Sequence, residues 1–161
     1  MFRLEWEEKI AGMNFLEEAR KLALKATCSR SRCGSVIVRD WEIVWVGFNS
    51  PSYGLESQRR CHFEKSEYHK KVTDKTCCIH AEQRAIMDGL ARNPQKLTGS
   101  RLYFVRVGDD GNIKNSGEPY CTICSKMSLD SWISEFVLVQ KDWICVYETW
   151  EYNDLSYKYT E

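Results

Sequence analysis

Residues 77–91 read Cys-Cys-Ile-His-Ala-Glu-Gln-Arg-Ala-Ile-Met-Asp-Gly-Leu-Ala and are followed closely by Asn93-Pro94. We predict a helix from about Cys77 to Ala91 that stops before this pair, because proline disfavours a helical conformation in the residue that precedes it. A β-rich run at 101–107 follows the helix, and two more, at 34–39 and 42–48, precede it. A helix set between strand-like runs indicates an α/β fold.

The remaining segments extend this alternation. Apolar residues recur at helical spacing from about Glu5 to Ala26, which indicates an amphipathic helix. The short link Asp40-Trp41 between two strands indicates a hairpin. A third helix from near Cys121 to near Trp132 and strands at 135–139 and 144–147 complete the pattern. The sequence thus predicts one domain, residues 1–161, built as an α/β sandwich around a sheet of about five strands.

Composition and charge exclude several classes of protein. The chain has 161 residues, 43% of them hydrophobic, and no net charge, which argues against disorder and against a large nucleic-acid partner. The N-terminus lacks the features of a signal peptide, and no apolar run reaches membrane-spanning length. We therefore predict a cytoplasmic protein without membrane contact. Its eight cysteines are expected to stay reduced and to serve metal binding, catalysis or packing.

Two short motifs carry the chemistry. His80-Ala81-Glu82 lies in one predicted helix, and Pro119-Tyr120-Cys121-Thr122-Ile123-Cys124 leads into another. A Cys-x-x-Cys pair at a helix start lets two thiolates face one metal ion, and His80 supplies a nitrogen ligand. Three protein ligands leave one position of a tetrahedral zinc ion for water, as in catalytic sites. Taken alone, the cysteine pair is equally consistent with a redox pair or with half of a structural zinc site. A single histidine, taken alone, is more typical of a hydrogen-bonded core residue than of a metal ligand.

Glu82 stands two residues from the predicted ligand His80. A carboxylate at this spacing reaches a zinc-bound water without ligating the metal. It is predicted to act first as a base on that water and then as an acid towards a ring nitrogen and a leaving amine. A purely structural zinc site has no need of this carboxylate.

These residues resemble the cytidine and deoxycytidylate deaminase superfamily, whose zinc signature is His-x-Glu followed by Pro-Cys-x-x-Cys. Residues 27–38, Thr-Cys-Ser-Arg-Ser-Arg-Cys-Gly-Ser-Val-Ile-Val, and 46–51, Val-Gly-Phe-Asn-Ser-Pro, are similar to the opening segment of deoxycytidylate deaminases. Residues 80–86 continue the match, which covers roughly the first 140 residues. Two positions depart from the pattern: Tyr120 separates Pro119 from Cys121, and Arg84 stands where the family often has asparagine.

The resemblance implies a cytidine-deaminase-like three-layer α/β/α sandwich around a mixed sheet, and a homo-oligomer. It implies hydrolytic deamination of a cytosine-containing nucleotide such as deoxycytidylate, a small-molecule substrate. Deamination of another nucleoside, a free base or a tRNA adenosine stays open as an alternative. An inactive zinc-stabilised binding module also stays open.

A second, structural zinc is implied by some deoxycytidylate deaminases, in which such an ion holds an insertion in place. The long polar stretch between Asn49 and Thr76 would be that insertion. Cys28 and Cys61 occupy the expected ligand positions, and Cys77 is the preferred third ligand, with His69 or Cys78 as the fourth. Alternatively these thiols simply pack, as we predict for Cys33 and Cys145.

Four residues are assigned to substrate binding. By resemblance Asn49 contacts the sugar, although a loop asparagine also stabilises its own turn. Arg30 and Arg32 are candidates for binding a 5′-phosphate, the alternative being solvated surface residues. Ala81, between His80 and Glu82, completes the set.

Overall fold

The computed structural model describes residues 1–72, 74–141 and 143–160. Within these residues the chain forms four α-helices and nine β-strands. The helices are α1 (Trp6–Ala23), α2 (Ala81–Arg92), α3 (Thr122–Asp130) and α4 (Thr149–Lys158). The strands are β1 (Phe2–Arg3), β2 (Arg32–Arg39), β3 (Glu42–Phe48), β4 (Ser50–Pro51), β5 (Cys78–Ile79), β6 (Arg101–Val107), β7 (Ile113–Lys114), β8 (Glu135–Gln140) and β9 (Trp143–Glu148).

One mixed sheet forms the centre of the molecule. Its strands run in the order β1-β9-β8-β6-β2-β3, with β7 paired to the end of β6. Strands β6 and β8 are parallel, and the other neighbours are antiparallel. The five long strands are the five expected from the sequence, and the two-residue strands β1 and β7 extend the sheet. The hairpin between β2 and β3 turns at Asp40 and Trp41, both with positive φ, as in a two-residue hairpin loop.

Helices cover both faces of this sheet, which confirms the three-layer α/β/α architecture. Helix α1 packs on one face, and α2, α3 and α4 on the other. Alternate strand residues point to opposite faces, so Tyr103 belongs to the α1 core whereas Leu102 and Phe104 belong to the α2 core. In the described part of the chain, no helix combines the length and the apolar character needed to cross a membrane.

Two glycines allow helices to approach the sheet closely. A Cβ at Gly34 would lie 2.0 Å from the carbonyl oxygen of Ala19 in α1. A Cβ at Gly47 would lie 2.1 Å from the carbonyl oxygen of Ala81 at the start of α2. The second contact matters for function, because it fixes the first turn of α2 against β3.

The structure differs from the sequence prediction in two places. Helix α2 begins at Ala81 rather than near residue 77, because Cys78 and Ile79 form a strand that pairs with β4. Helix α4 lies after the last predicted strand and was not predicted. Its Tyr152 stacks on Phe136 at 4.0 Å between ring centroids, so this helix is held by tertiary packing.

Candidate metal centre and active-site cavity

His80 is positioned by the start of α2. It is the N-cap residue, with an extended backbone, and its backbone N–H donates to Gln83 Oε1 at 3.0 Å. This bond satisfies a backbone donor that the helix itself leaves free. The imidazole is thereby held at the positive end of α2.

Cys121 and Cys124 are positioned by the start of α3. Cys121 is the N-cap residue, and its carbonyl oxygen accepts from the backbone N–H of Ser125 at 3.0 Å. Cys124 lies one turn further on and is completely buried. The Cys-x-x-Cys spacing therefore brings both sulfur atoms to the same helix end, as the sequence analysis expected.

The three donor atoms converge. His80 Nδ1 lies 3.2 Å from Cys124 Sγ and 3.5 Å from Cys121 Sγ, and the two sulfur atoms are 3.2 Å apart. A tetrahedral zinc ion with two sulfur ligands and one nitrogen ligand places its donors about 3.5–3.8 Å apart. The nitrogen–sulfur distances agree with that geometry to within about 0.4 Å, the sulfur–sulfur distance is about 0.6 Å shorter, and the donor set is the one zinc prefers. These residues fit the ion.

Strong coupling among the donors supports this assignment. Hydrogen bonding from Cys124, and then from His80, outweighs burial and lowers the pKa of Cys121 to about 4. The bond to Cys121 raises the pKa of His80 to about 9. Pairing with Cys121, together with burial, raises the pKa of Cys124. The donors thus share protons, and a metal ion displaces these because its ligands must be deprotonated.

Glu82 lies beside this triangle in the first turn of α2. Its side chain is almost completely buried, with 4% of the residue exposed. Burial raises the pKa of its carboxyl group, and the neighbouring His80 opposes that shift. No ion pair to Glu82 forms within the described residues. A buried carboxylate without a cationic partner is costly to keep for packing alone, so its position indicates a chemical role.

The metal centre opens into a cavity of about 310 Å³. Its wall includes His80, Glu82 and Cys121 together with the apolar side chain of Phe104. Among the described residues of its lining, Glu82 is the one carboxylate, whereas five side chains are basic: Arg30, Arg60, Lys65, Lys75 and Arg106. This asymmetry favours an anionic ligand.

Of the four residues assigned to substrate binding, three line the cavity: Asn49, Ala81 and Arg30. Asn49 directly follows β3, and its side-chain amide binds the backbone at the start of β2. Its Oδ1 accepts from Cys33 N at 2.8 Å, and its Nδ2 donates to Ser31 O at 2.7 Å. Arg30 donates to the carbonyl oxygens of Cys61 and Phe63. Arg32 does not line the cavity, and its guanidinium donates to the carbonyl oxygen of Gly108.

A second group of thiols lies at the rim of the same cavity. The sulfur atoms of Cys28, Cys61 and Cys78 all lie within 4.8 Å of one another. Cys77 lies beside them, with its Sγ 3.3 Å from Cys61 Sγ and 3.9 Å from Cys78 Sγ. The structure therefore brings Cys78 into the triangle in place of Cys77, the third ligand expected from the resemblance.

His69 lies outside this thiol group. Its side chain is exposed, and its Nδ1 accepts from the backbone N–H of Lys71 at 3.2 Å.

Hydrogen bonds around Cys61, from Ser29, Cys77 and Arg59, outweigh the effect of burial and lower the pKa of its thiol to about 6. Four neighbouring thiols, one of them easily ionised, form a donor set suited to a closed zinc site. Cys33 and Cys145 are buried in the core, as expected.

Two cavity residues, Arg106 and Tyr120, were missed as site residues. The strand alternation places Arg106 on the same face as Phe104, and this signal was available in the sequence. Tyr120 was noted only as a departure from the zinc signature.

The other departure from that signature, Arg84, has a structural role. Its Nη2 donates to Ser50 O, Ser50 Oγ and Pro51 O at 2.8–3.1 Å and so connects α2 to β4.

Comparison with known proteins agrees with this site. A family model described as the cytidine and deoxycytidylate deaminase zinc-binding region matches residues 11–140. A relative, the deoxycytidylate deaminase of Mycobacterium phage D29, is 27% identical over 143 residues, which span 85% of this chain and 96% of the relative. The matched range of the family model contains both zinc motifs.

Solved structures agree on the fold. The dCMP deaminase from the cyanophage S-TIM5, in complex with dCMP and dUMP, superposes with a TM-score of 0.58 at 19% identity and covers 82% of each chain. The cytidine deaminase from Burkholderia pseudomallei superposes with a TM-score of 0.56 at 19% identity, over 87% of this chain and 94% of that one. The family match over most of the sequence, on this fold and around this donor triangle, shows that the chain belongs to the cytidine and deoxycytidylate deaminase family and is a zinc-dependent deaminase.

Proposed function

We propose that this protein deaminates a cytosine nucleotide of the deoxycytidylate type, releasing ammonia and leaving the uracil nucleotide. The observation that carries the proposal is the buried Glu82 carboxyl group beside His80, Cys121 and Cys124, at the wall of a cavity with five basic residues. The phage D29 relative is a deoxycytidylate deaminase, which supports the same substrate class.

His80, Cys121 and Cys124 are the residues that would hold the catalytic zinc. Zinc bound by three protein ligands would supply a coordinated water whose pKa is lowered to about 7, so that it ionises readily at neutral pH. Glu82 takes a proton from the attacking water and delivers it to N3 of the cytosine ring. The same carboxylate then takes the remaining proton of the new C4 hydroxyl group and delivers it to the leaving amine, so that the C4–N bond breaks, the C4 carbonyl forms and ammonia departs.

The raised pKa of Glu82 suits this double role. Burial makes its carboxylate more basic than an exposed glutamate, and a more basic carboxylate accepts the water proton more readily. Because the apolar wall includes Phe104 and Ala81, water other than the reacting molecule is partly excluded. Exclusion of solvent keeps the proton with Glu82 between its two transfers.

The uneven charge of the cavity supports a phosphorylated substrate. Five cations against one carboxylate attract a monophosphate, whereas a neutral nucleoside gains nothing from them. Three of these cations, Arg60, Lys65 and Lys75, come from the polar stretch before α2, so that stretch contributes to the pocket.

We also propose a second, structural zinc bound by Cys28, Cys61 and Cys78, with Cys77 as the fourth donor. The convergence of these thiols around the ends of the polar stretch supports it. A closed four-thiolate site would hold that stretch against the cavity. The homo-oligomer implied by the family resemblance stays a prediction.

The substrate proposal is tested by comparing ammonia release from deoxycytidylate, deoxycytidine and cytosine at equal enzyme concentration. We expect the nucleotide to have a specificity constant at least about tenfold above that of the nucleoside. Equal turnover of nucleoside and nucleotide would remove the phosphate preference and leave the deaminase assignment intact. Turnover of an adenine nucleoside, with none of any cytosine compound, would contradict the substrate class.

A further inference from the structure

Arg106 occupies a rigid position at the cavity. It lies in β6, two residues after Phe104, and both side chains line the cavity wall. In the sheet it pairs with Cys33 of β2 on one side and with Lys114 of β7 on the other. A residue held in a strand between two neighbours presents its side chain more reproducibly than one on a loop.

Within the described residues, no negatively charged side chain neutralises the guanidinium of Arg106. Its Nη2 donates to the Tyr120 hydroxyl at 2.9 Å, while its Nε is buried and has no hydrogen-bond partner. Within the described residues no carboxylate lies within 4 Å of its guanidinium, and its cross-strand neighbour Lys114 is a second cation. A half-buried cation with unused donors is unfavourable unless something completes its hydrogen bonding.

Tyr120 is arranged to help an anion bind beside Arg106. Its hydroxyl oxygen accepts the bond from Arg106, so its own hydrogen remains available to donate. The ring packs on Tyr159 with 5.8 Å between centroids, and the next residue is the metal-site cysteine Cys121. The donor is thus tied to the catalytic centre by one peptide bond.

The two arginines selected from the sequence are already occupied. Arg30 is bonded to the carbonyl oxygens of Cys61 and Phe63, and Arg32 to that of Gly108. We propose that Arg106 and the Tyr120 hydroxyl instead form the phosphate-binding pair of the cavity and set its preference for nucleotide over nucleoside. This proposal rests on the proposed function, because it concerns the part of the substrate that distinguishes a nucleotide.

A purely structural role for the pair is the competing interpretation. Glu118 lines an adjoining depression together with Arg106 and Tyr120, and in this interpretation the pair only braces the segment that leads into α3. The two roles differ in their effect on the two substrates. Bracing affects deoxycytidylate and deoxycytidine alike, because both need the metal centre, whereas phosphate binding affects the nucleotide alone.

The test compares the ratio of kcat/KM for deoxycytidylate to kcat/KM for deoxycytidine in wild type, Arg106→Gln, Arg106→Lys and Tyr120→Phe. Arg92→Gln is the charge-matched control, since Arg92 is exposed at the end of α2 and pairs with Asp88. We expect the ratio to fall about 10- to 100-fold in Arg106→Gln and about 3- to 10-fold in Tyr120→Phe. Arg106→Lys should be intermediate, because lysine keeps the charge and loses the fork of donors. Zinc content and the thermal midpoint are measured for each variant.

An equal loss for both substrates, or an unchanged ratio in Arg106→Gln, would overturn the phosphate pair. A second measurement separates this proposal from the proposed function: calorimetric titration of the zinc-loaded proteins with inorganic phosphate and with deoxyuridylate. Weaker binding of both by at least about tenfold in Arg106→Gln, with wild-type binding in Arg92→Gln, supports the pair even if no cytosine compound is deaminated. Identical binding in the two variants contradicts it.

Discussion

Two groups of metal-ligating side chains lie at one cavity, and they are supported in different ways. His80, Cys121 and Cys124 lie in the first turns of α2 and α3, whose N-termini meet at the site. Cys28, Cys61 and their neighbours lie instead in the segment between α1 and β2 and in the polar stretch before α2. The first group is fixed by helices that pack on the sheet, and the second holds together chain segments that have little regular structure of their own.

The two groups differ in the number of donor atoms and in the secondary-structure elements that carry them, and both differences relate to function. Three donors on rigid helices leave a coordination position open, and a buried carboxylate stands beside it, as catalysis requires. Four thiols, of which Cys78 lies in the two-residue strand β5, would leave no position open, and none of them is followed by a carboxylate at the spacing of Glu82. The first arrangement is suited to catalysis, and we propose that the second, with a bound metal ion, stabilises a long connection that lacks a hydrophobic core of its own.

Removing a ligand of the first group should have the largest effect. Cys124→Ser, Cys121→Ser and His80→Ala are each expected to lose the catalytic zinc and at least about a thousandfold of turnover, since the metal accounts for several kcal/mol of barrier reduction. Zinc content by elemental analysis and ammonia release check this. The fold should persist, because both helices keep their packing on the sheet. Full zinc content at this site in all three variants would show that the ligands are assigned wrongly.

Removing a ligand of the second group should have a smaller and different effect. Wild type should contain about two zinc ions per chain, and Cys61→Ser about one. The variant should lose about 5–10 °C in thermal midpoint and keep more activity than any variant of the first group, because the catalytic donors remain. Cys145→Ser is the matched control, since Cys145 is a buried thiol of β9 outside both groups. One zinc ion per chain in wild type and in Cys61→Ser alike would contradict a second site.

The same contrast explains how much was predictable from the sequence. Each half of the catalytic group follows from local rules, because Cys-x-x-Cys at a helix start and His80 two residues before Glu82 need only local geometry, whereas the meeting of the two halves, 41 residues apart, was implied by the family resemblance. The five long strands follow from runs of β-branched residues with turn signals between them. Both kinds of signal depend on residues close together in sequence.

What was not predictable depends on contacts between distant residues. Cys78 rather than Cys77 joins the thiol triangle because β5 pairs with β4, and this pairing leaves little trace in a two-residue strand. Arg30 donates to carbonyl groups more than thirty residues later in the sequence, a contact that no local pattern indicates. Helix α4 has a weak local pattern and is held by the stacking of Tyr152 on Phe136. Tertiary packing decided each of these cases.

The central claim is that Glu82 moves protons and does not hold the metal, and one preparation of Glu82→Gln tests it. Zinc content and the rate of ammonia release from deoxycytidylate are measured on the same sample. We expect Glu82→Gln to keep the zinc content of wild type and to lose about 100- to 10,000-fold in turnover, since an amide of the same shape cannot accept the proton. Turnover within a few-fold of wild type at full zinc occupancy would contradict the proposed mechanism, and loss of one zinc ion would show that Glu82 is itself a ligand.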